Sequence, residues 1–414
     1  MDMAITAMVH SLASRMQHWC RKLVDNPALG HKVSSGLFSL LTLVIGLVIG
    51  VLVLNPLWGT LAQPNLFPAA ILPPITGPID GLFYIRNAEL GYAWSTRDPL
   101  SLWFHPLLSS FLQVLPGWLP KNSWFWLISL VFAAACLPLI FRLTVILTGN
   151  SSVQPKMIPL CLVAPGGLSL ATGNAEIPTL FFSTLLLLSV LAWEKWWLTV
   201  VSAAAAILTK PNALYMVAVL FIYFLFAVAT RNLKLWKHSL LGMAALLGGW
   251  LIWIWIVDWQ TGHPGAYWEA RLAFSPYSGP VDLRGFFEQW LNAFLVDDLR
   301  NQIRFSTAIL IPMVSLIVIG LVPFASEPHR YAFAAGNLAM LIISLALGNP
   351  NKILLYATTL PGYFVTHLVL LAWLISQRRQ QNMGARWLVG ACYLAYCVGM
   401  QVVYVIGTPL GWYF

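Results

Sequence analysis

Asp80 is the residue of this sequence whose type and surroundings most directly suggest chemistry. It follows the Pro/Gly-rich stretch 73–78 and opens an apolar and aromatic run. A carboxylate at the start of a helix caps the first turn, whereas an ionised carboxylate beside an apolar wall can act as a general base. Both roles fit Asp80. The aromatic residues that would supply the wall are Phe83, Tyr84, Trp94, Trp103 and Phe104.

Other candidate residues lie in loops or at the ends of apolar segments, where a substrate at the membrane surface would meet them. The candidate substrate contacts are Glu89, Tyr92, Asp98, His105, Glu176, Lys210, Asn212, Arg271 and Lys352. Glu89 and Asp98 are second carboxylates, and salt bridges to nearby arginines would explain them equally well. His105 suits a hydrogen bond to a sugar or phosphate, although a histidine at an interface often has no chemical role.

Lys210 is the most informative of the cations. It separates two apolar segments and precedes Pro211, which interrupts the backbone. A cation near a helix N-terminus suits a lipid-linked phosphate. The alternative for Lys210, and likewise for Lys352 and Arg271, is a structural one: a lysine reaching lipid headgroups or an arginine in a salt bridge.

The elements that position these residues must be membrane helices. The chain has 414 residues, of which 59% are hydrophobic and only 9% charged, against about 25% charged in soluble domains. That composition excludes a soluble multidomain protein and a disordered chain. Because the 23 basic residues form no run, it also argues against nucleic-acid binding. The sequence predicts an all-α polytopic membrane protein.

Apolar segments of sufficient length predict about eleven transmembrane helices. The predicted spans are 37–54, 124–147, 157–172, 176–193, 196–209, 212–229, 239–257, 305–324, 331–348, 353–376 and 387–406. Residues 1–36 are then a cytoplasmic N-terminal segment, and 37–414 form a single transmembrane domain with outer loops at about 55–123 and 258–304. We also expect the glycine pairs at 166–167 and 248–249 to lie inside apolar helices, where they permit close packing.

Charge predicts the orientation. With the N-terminus in the cytoplasm, fourteen of the basic residues and only four of the acidic residues face the cytoplasm, as the positive-inside rule requires. If segment 102–118 crossed the bilayer, the basic residues of the later cytoplasmic loops would face the outer side instead. We therefore interpret this segment as an interfacial helix. The turns 173–176, 210–212 and 349–352 then face the same outer compartment as Asp80.

The region from about 75 to 230 resembles the PIG-V-type mannosyltransferases of the GT-C superfamily of membrane glycosyltransferases. The segments that carry the resemblance are Asp80…Ala88-x-x-Gly91-Tyr92…Phe104-His105-Pro106-Leu107, Ala175-Glu176-Ile177-Pro178 and Leu208-Thr209-Lys210-Pro211-Asn212-Ala213. They are similar to the family patterns WD…A..GY…FFPL, SE..F..L and TR.NG. This chain departs from those patterns with Ile79, His105 and Lys210, where the family has Trp, Phe and Arg.

The resemblance implies a GT-C-like fold with interfacial helices in the first outer loop. It also implies inverting transfer of a sugar, mannose by resemblance, from a polyprenyl- or dolichyl-phosphate donor to a hydroxyl of a glycan, lipid or protein acceptor. Asp80 would be the general base, and Lys210 would hold the departing lipid phosphate. The active site would face the periplasm, cell exterior or lumen. No cofactor is implied beyond the lipid-linked donor, and because no second acid follows Asp80 at a spacing of one residue, the chemistry is expected to be metal-independent.

Two other functions remain open. A transporter or lipid flippase would have no covalent chemistry and would place ionisable groups in the middle of its spans, where the sequence shows almost none. A non-catalytic subunit of a membrane complex would use the outer loops to bind a partner.

Overall fold

The structure, a computed structural model, describes residues 27–49, 80–92, 102, 104–149, 154–274, 283–346, 353–376 and 384–407. Every regular element in these ranges is helical. The α-helices in chain order are α1 (Pro27–Ile49), α2 (Asp80–Leu90), α3 (Pro106–Val114), α4 (Lys121–Thr148), α5 (Glu176–Leu188), α6 (Trp196–Thr209), α7 (Tyr215–Ala229), α8 (Leu233–Thr261), α9 (Ala266–Phe274), α10 (Leu283–Leu295), α11 (Leu299–Leu321), α12 (Glu327–Ala346), α13 (Ile353–Thr358), α14 (Pro361–Ser376) and α15 (Gly384–Gly407).

Six helical segments in the described ranges are long and apolar enough to cross a bilayer, in agreement with a multi-pass membrane protein. They are Lys121–Thr148, Glu176–Trp193, Pro211–Ala229, Leu233–Thr261, Asn301–Leu321 and Leu388–Val405, and each coincides with one of the eleven predicted spans. The all-α prediction is therefore confirmed, whereas the number of eleven stays a prediction.

The other predicted spans take different forms. Three correspond to shorter apolar helices, Val33–Ile49, Trp196–Thr209 and Pro361–Ile375. The span predicted at 331–348 lies on α12, which has 20 residues. The helix α1 begins at Pro27, inside the N-terminal segment predicted to end at residue 36.

The prediction of a continuous helix at 157–172 is wrong. Two 3₁₀ segments, Pro155–Leu162 and Gly167–Ala171, occupy this part of the chain. Prolines remove backbone donors here, and Gly166 adopts a positive φ of 72°. The pair Gly166–Gly167 thus forms a turn rather than a helix-packing surface, because a Cβ at Gly167 would lie 2.1 Å from the Cys161 carbonyl oxygen.

The two predicted outer loops also contain helices. In segment 102–118 the helix is α3, with Pro106 in its first turn. In the second loop, the helix α10 contains Phe286, Phe287, Trp290 and Phe294. The neighbouring helices α8 and α11 extend several residues into the loop predicted at 258–304.

Contacts between chain-distant residues define two ends of the bundle. At one end, which we call the site end, α5 begins at Glu176 and α6 finishes at Thr209. At the opposite end, Glu194 forms an exposed ion pair with Lys234, with a distance of 2.8 Å. Residues 155–171 return the chain between α4 and α5, so both of these helices begin at the site end. Helices α5 to α8 then alternate in direction, and the turn around Asn174 and the turn at Lys210 meet at the site end.

Small residues let α6, α7 and α8 approach closely. A Cβ at Gly242 would lie 2.8 Å from Leu220, and one at Gly249 would lie 2.8 Å from Ile207. Such contacts are typical of helix pairs in a bilayer. By contrast, Trp255 and Trp259 of α8 point outward with 65% and 70% of their surface exposed, as expected for a surface that faces lipid.

Candidate functional site

A buried ion pair forms the centre of the candidate site. Lys210 donates from Nζ to Oε1 of Glu176, and the two side chains are 6% and 0% exposed. Lys210 caps the C-terminus of α6 in an extended conformation because Pro211 prevents continuation of the helix. Glu176 is the first residue of α5, where the helix dipole favours a negative charge.

Two buried polar atoms beside this pair have no hydrogen-bond partner among the described residues. They are Oε2 of Glu176 and Nδ2 of Asn212. Buried polar atoms are nearly always hydrogen-bonded, so these two atoms, one on Glu176 and one on the residue two positions after Lys210, can each bind a water or a polar group of a ligand. The region contains one acceptor and one donor that a bound polar group can satisfy.

Asn174 holds Glu176 in position. Its side-chain oxygen accepts a hydrogen bond from the Ile177 backbone N–H at 3.1 Å, and its Nδ2 donates to the Ser169 carbonyl at 2.9 Å. The Thr172 hydroxyl, 3.1 Å from the same Nδ2, is 2.9 Å from the Tyr404 hydroxyl of α15. A network from three chain segments therefore fixes the first turn of α5.

Asp80 begins α2, and contacts on the same helix bring α2 to this pair. The Tyr84 hydroxyl donates to the Thr209 carbonyl oxygen at 2.8 Å, one residue before Lys210. At Gly81, a Cβ would lie 3.1 Å from the Phe125 ring, which also borders Gly173. The backbone of Asp80 therefore belongs to the site end; its side chain lies outside the described atoms.

An aromatic cluster surrounds α2. Phe83 stacks on Phe104 with ring centroids 4.6 Å apart, and Tyr84 meets Phe104 edge-on at 5.3 Å. Tyr84 also stacks on Phe125 at 5.8 Å. These rings form an apolar surface beside the helix that starts at Asp80, as the sequence predicted for Phe83, Tyr84 and Phe104. Trp94 and Trp103 lie outside the described residues.

His105 holds the first loop against the bundle. Its Nδ1 is hydrogen-bonded to the Ile207 carbonyl oxygen, and its Nε2 lies 3.2 Å from the Tyr267 hydroxyl. Trp250 donates to the same hydroxyl at 3.1 Å, so Tyr267 donates onward to Nε2. Burial lowers the pKa of His105 to about 3, in agreement with a neutral ring whose two nitrogens are both engaged within the protein.

Tyr92 also has a partner within the protein. Its hydroxyl donates to the Phe104 carbonyl oxygen at 2.9 Å, and its ring meets Trp253 edge-on at 5.0 Å. Burial raises the pKa of Tyr92 to about 12. These contacts tie Tyr92 and His105 to other parts of the chain. The substrate contact expected of both residues from the sequence stays a prediction.

The remaining candidates do not join the cluster in the described part of the chain. Glu89 is exposed near the far end of α2 from Asp80. The backbone of Arg271 lies in α9, and its side chain is outside the described atoms. Asp98 and Lys352 lie outside the described residues.

Several residues that build the site were not singled out from the sequence. The sequence predicts an apolar role for Tyr84, whereas the structure shows that its hydroxyl also ties α2 to α6. The rings of Trp253 and Tyr267 lie 6.0 Å from the His105 ring, and Trp250 is linked to His105 through the Tyr267 hydroxyl. Nothing in the sequence pattern indicated these contacts. Asn174 was recognisable as a cap, because Asn two residues before Glu176 is a common helix-start residue.

The arrangement is chemically simple. A buried cation is paired with one carboxylate, a helix that begins with a second carboxylate is tied to it, and aromatic rings limit access of water. In comparisons with known proteins, neither a family model nor a curated protein matches this chain.

Proposed function

We propose that this chain is a membrane glycosyltransferase that transfers a sugar from a polyprenyl-phosphate donor with inversion. The observation that carries the proposal is the hydrogen bond from Tyr84 to Thr209, which ties the helix starting at Asp80 to the residue before Lys210. A base and a cation from distant parts of the chain are thereby held at one end of the bundle, as the reaction requires. The GT-C resemblance, the eleven spans and the outward-facing site belong to the same proposal.

The reaction uses these groups as follows. The acceptor hydroxyl attacks the anomeric carbon of the donor while its proton passes to the Asp80 carboxylate. The bond between that carbon and the phosphate oxygen breaks, and the lipid phosphate leaves with the electron pair. Lys210 stabilises the charge that develops on the phosphate. A displacement in one step inverts the anomeric configuration. No metal ion takes part in the proposed steps.

The test is sugar transfer by the purified full-length protein. Polyprenyl-phosphate mannose carrying a radiolabel is supplied with a membrane extract as the source of acceptors, and release of lipid phosphate is followed. Asp80→Asn should lower the rate about 10²- to 10⁴-fold, the usual contribution of a general base. Asp297→Asn, an equally small change at an exposed residue, is the matched control. Full activity of the Asp80→Asn protein would exclude Asp80 as the base.

One observation favours the alternative of a transporter or flippase. His367 of α14 is fully buried and pairs through Nδ1 with the Tyr393 hydroxyl of α15, and its Nε2 has no partner among the described residues. An ionisable group at this position inside a bundle is typical of a transport pathway. Movement of a fluorescent lipid between the leaflets of proteoliposomes, with no sugar transfer, would support this alternative.

A further inference from the structure

Lys210, the residue proposed to bind phosphate, is already paired with an anionic side chain, Glu176. Glu176 occupies Lys210 through one carboxylate oxygen, and both side chains are almost completely buried. A phosphate that approaches Lys210 therefore meets Glu176 as a second anion at the same ammonium group. The carboxylate stays nearby after it loses the lysine, because it is fixed to the first turn of α5 that Asn174 caps.

Two features would stabilise the Glu176 carboxylate after its displacement from Lys210. The N-terminus of α5 carries a partial positive charge that favours a carboxylate. In addition, Oε2 of Glu176 and Nδ2 of Asn212 are buried without partners among the described residues, so the pair does not use all the local hydrogen-bonding capacity. A carboxylate displaced from Lys210 therefore remains next to the N-terminus of α5.

We propose that Glu176 is an internal counter-ion that the phosphate group displaces from Lys210, and that it disfavours the monophosphate product more than the phosphodiester donor. This inference rests on the proposed function. The donor is a phosphodiester with one negative charge, whereas the released lipid phosphate is a monoester with a charge of about −1.5 to −2 at pH 7. Repulsion from Glu176 therefore weakens binding of the product more and promotes its release.

The size of the effect follows from the charges. Two like charges about 6 Å apart repel each other enough to change affinity by up to about 100-fold at an effective dielectric constant of about 20. Solvent and salt reduce this value, so the expected change lies between about tenfold and about 100-fold. The repulsion scales with the ligand's charge, so the effect on a diester is smaller.

The experiment measures binding of two probes to the purified full-length protein in detergent at pH 7.5 by calorimetry. Farnesyl phosphate represents the monoester, and farnesyl methyl phosphate represents the diester. Glu176→Gln should tighten the binding of farnesyl phosphate at least about tenfold and that of the diester less. Glu194→Gln is the matched control, because it makes the same change in the exposed pair with Lys234, and it should leave both dissociation constants unchanged.

The outcomes separate this inference from the proposed function. If Lys210→Met weakens farnesyl phosphate binding but Glu176→Gln does not tighten it, Glu176 is not a competitor and the phosphate site remains. If neither the wild type nor Glu176→Gln binds farnesyl phosphate, both the site and the inference are wrong. The wild type alone gives a further test should Glu176→Gln not fold: farnesyl phosphate binding at least about tenfold tighter than the diester would overturn the inference.

Discussion

The buried ion pair predicts an asymmetric effect on stability. Lys210→Met removes the cation and leaves Glu176, which is 0% exposed, without its partner. Removing one partner of a buried pair costs about 3–5 kcal/mol, because the remaining charge is uncompensated. Replacing both residues, as in Glu176→Leu with Lys210→Met, should restore most of that loss, because apolar side chains of similar volume need no hydrogen bonds.

The exposed pair provides the scale for this comparison. Lys234 and Glu194 are 73% and 46% exposed and lie 2.8 Å apart. Exposed pairs contribute about 0–1 kcal/mol, so Lys234→Met should have almost no effect on stability. The two lysine substitutions remove the same group, and they differ in burial.

Thermal unfolding in detergent, followed by circular dichroism, measures the difference. With the usual entropy of unfolding per residue, a loss of 3–5 kcal/mol corresponds to a fall of about 3–6 °C in Tm for a chain of this length. The Tm of Lys210→Met should be lower than that of the wild type by this amount, and the Tm of the double variant should be lowered much less. Equal melting temperatures for Lys210→Met and Lys234→Met would refute the uncompensated buried charge.

Three further predictions follow from single contacts. The pKa of His105 is about 3 in the folded protein and about 6.5 in the unfolded chain, so this residue alone should lower stability by about 2 kcal/mol from pH 7.5 to pH 5; His105→Gln should reduce the acid sensitivity by that share, measured as Tm at the two pH values. Gly167→Ala should prevent folding because its Cβ would lie 2.1 Å from a carbonyl oxygen, whereas Gly248→Ala, with nothing within 4 Å, should express and elute normally in size-exclusion chromatography. Tyr84→Phe should lower kcat about 10- to 100-fold without a matching change in KM, because α2 loses its hydrogen bond to Thr209; unchanged turnover would mean that this bond does not position Asp80.

The sequence predicted the helices whose signal is length and hydropathy, and it failed where backbone hydrogen bonding decides. Six of the predicted spans coincide with long apolar helices. The segment 157–172 has the same apolar composition, but Pro159 and Pro165 remove helix donors and Gly166 reverses the chain. Hydropathy depends on side-chain composition alone, so it does not distinguish a continuous α-helix from two 3₁₀ segments of the same composition. Likewise, Pro361 divides the span predicted at 353–376 into α13 and α14.

The site was predictable as a set of end-of-helix residues but not as a set of contacts. Alternation of the spans predicted that the turns containing Glu176 and Lys210 face the same side, and the structure brings these two turns together. Their pairing could not be predicted, because 34 residues separate them along the chain. For His105 the sequence identified the residue but not the carbonyl and hydroxyl groups that surround it.

The Glu176 carboxylate should promote release of the phosphate product but oppose its formation. Kinetic measurements can separate these two effects. During transfer, negative charge moves from Asp80 to the departing phosphate, so a nearby carboxylate opposes the formation of product as well as its retention. If release of the lipid phosphate limits turnover, Glu176→Gln should lower KM and kcat together, since the product is held longer. If the chemical step is limiting, the same variant should raise kcat, because the repulsion is removed where the charge develops. An unchanged kcat and KM would remove Glu176 from both steps and leave it as a structural partner of Lys210.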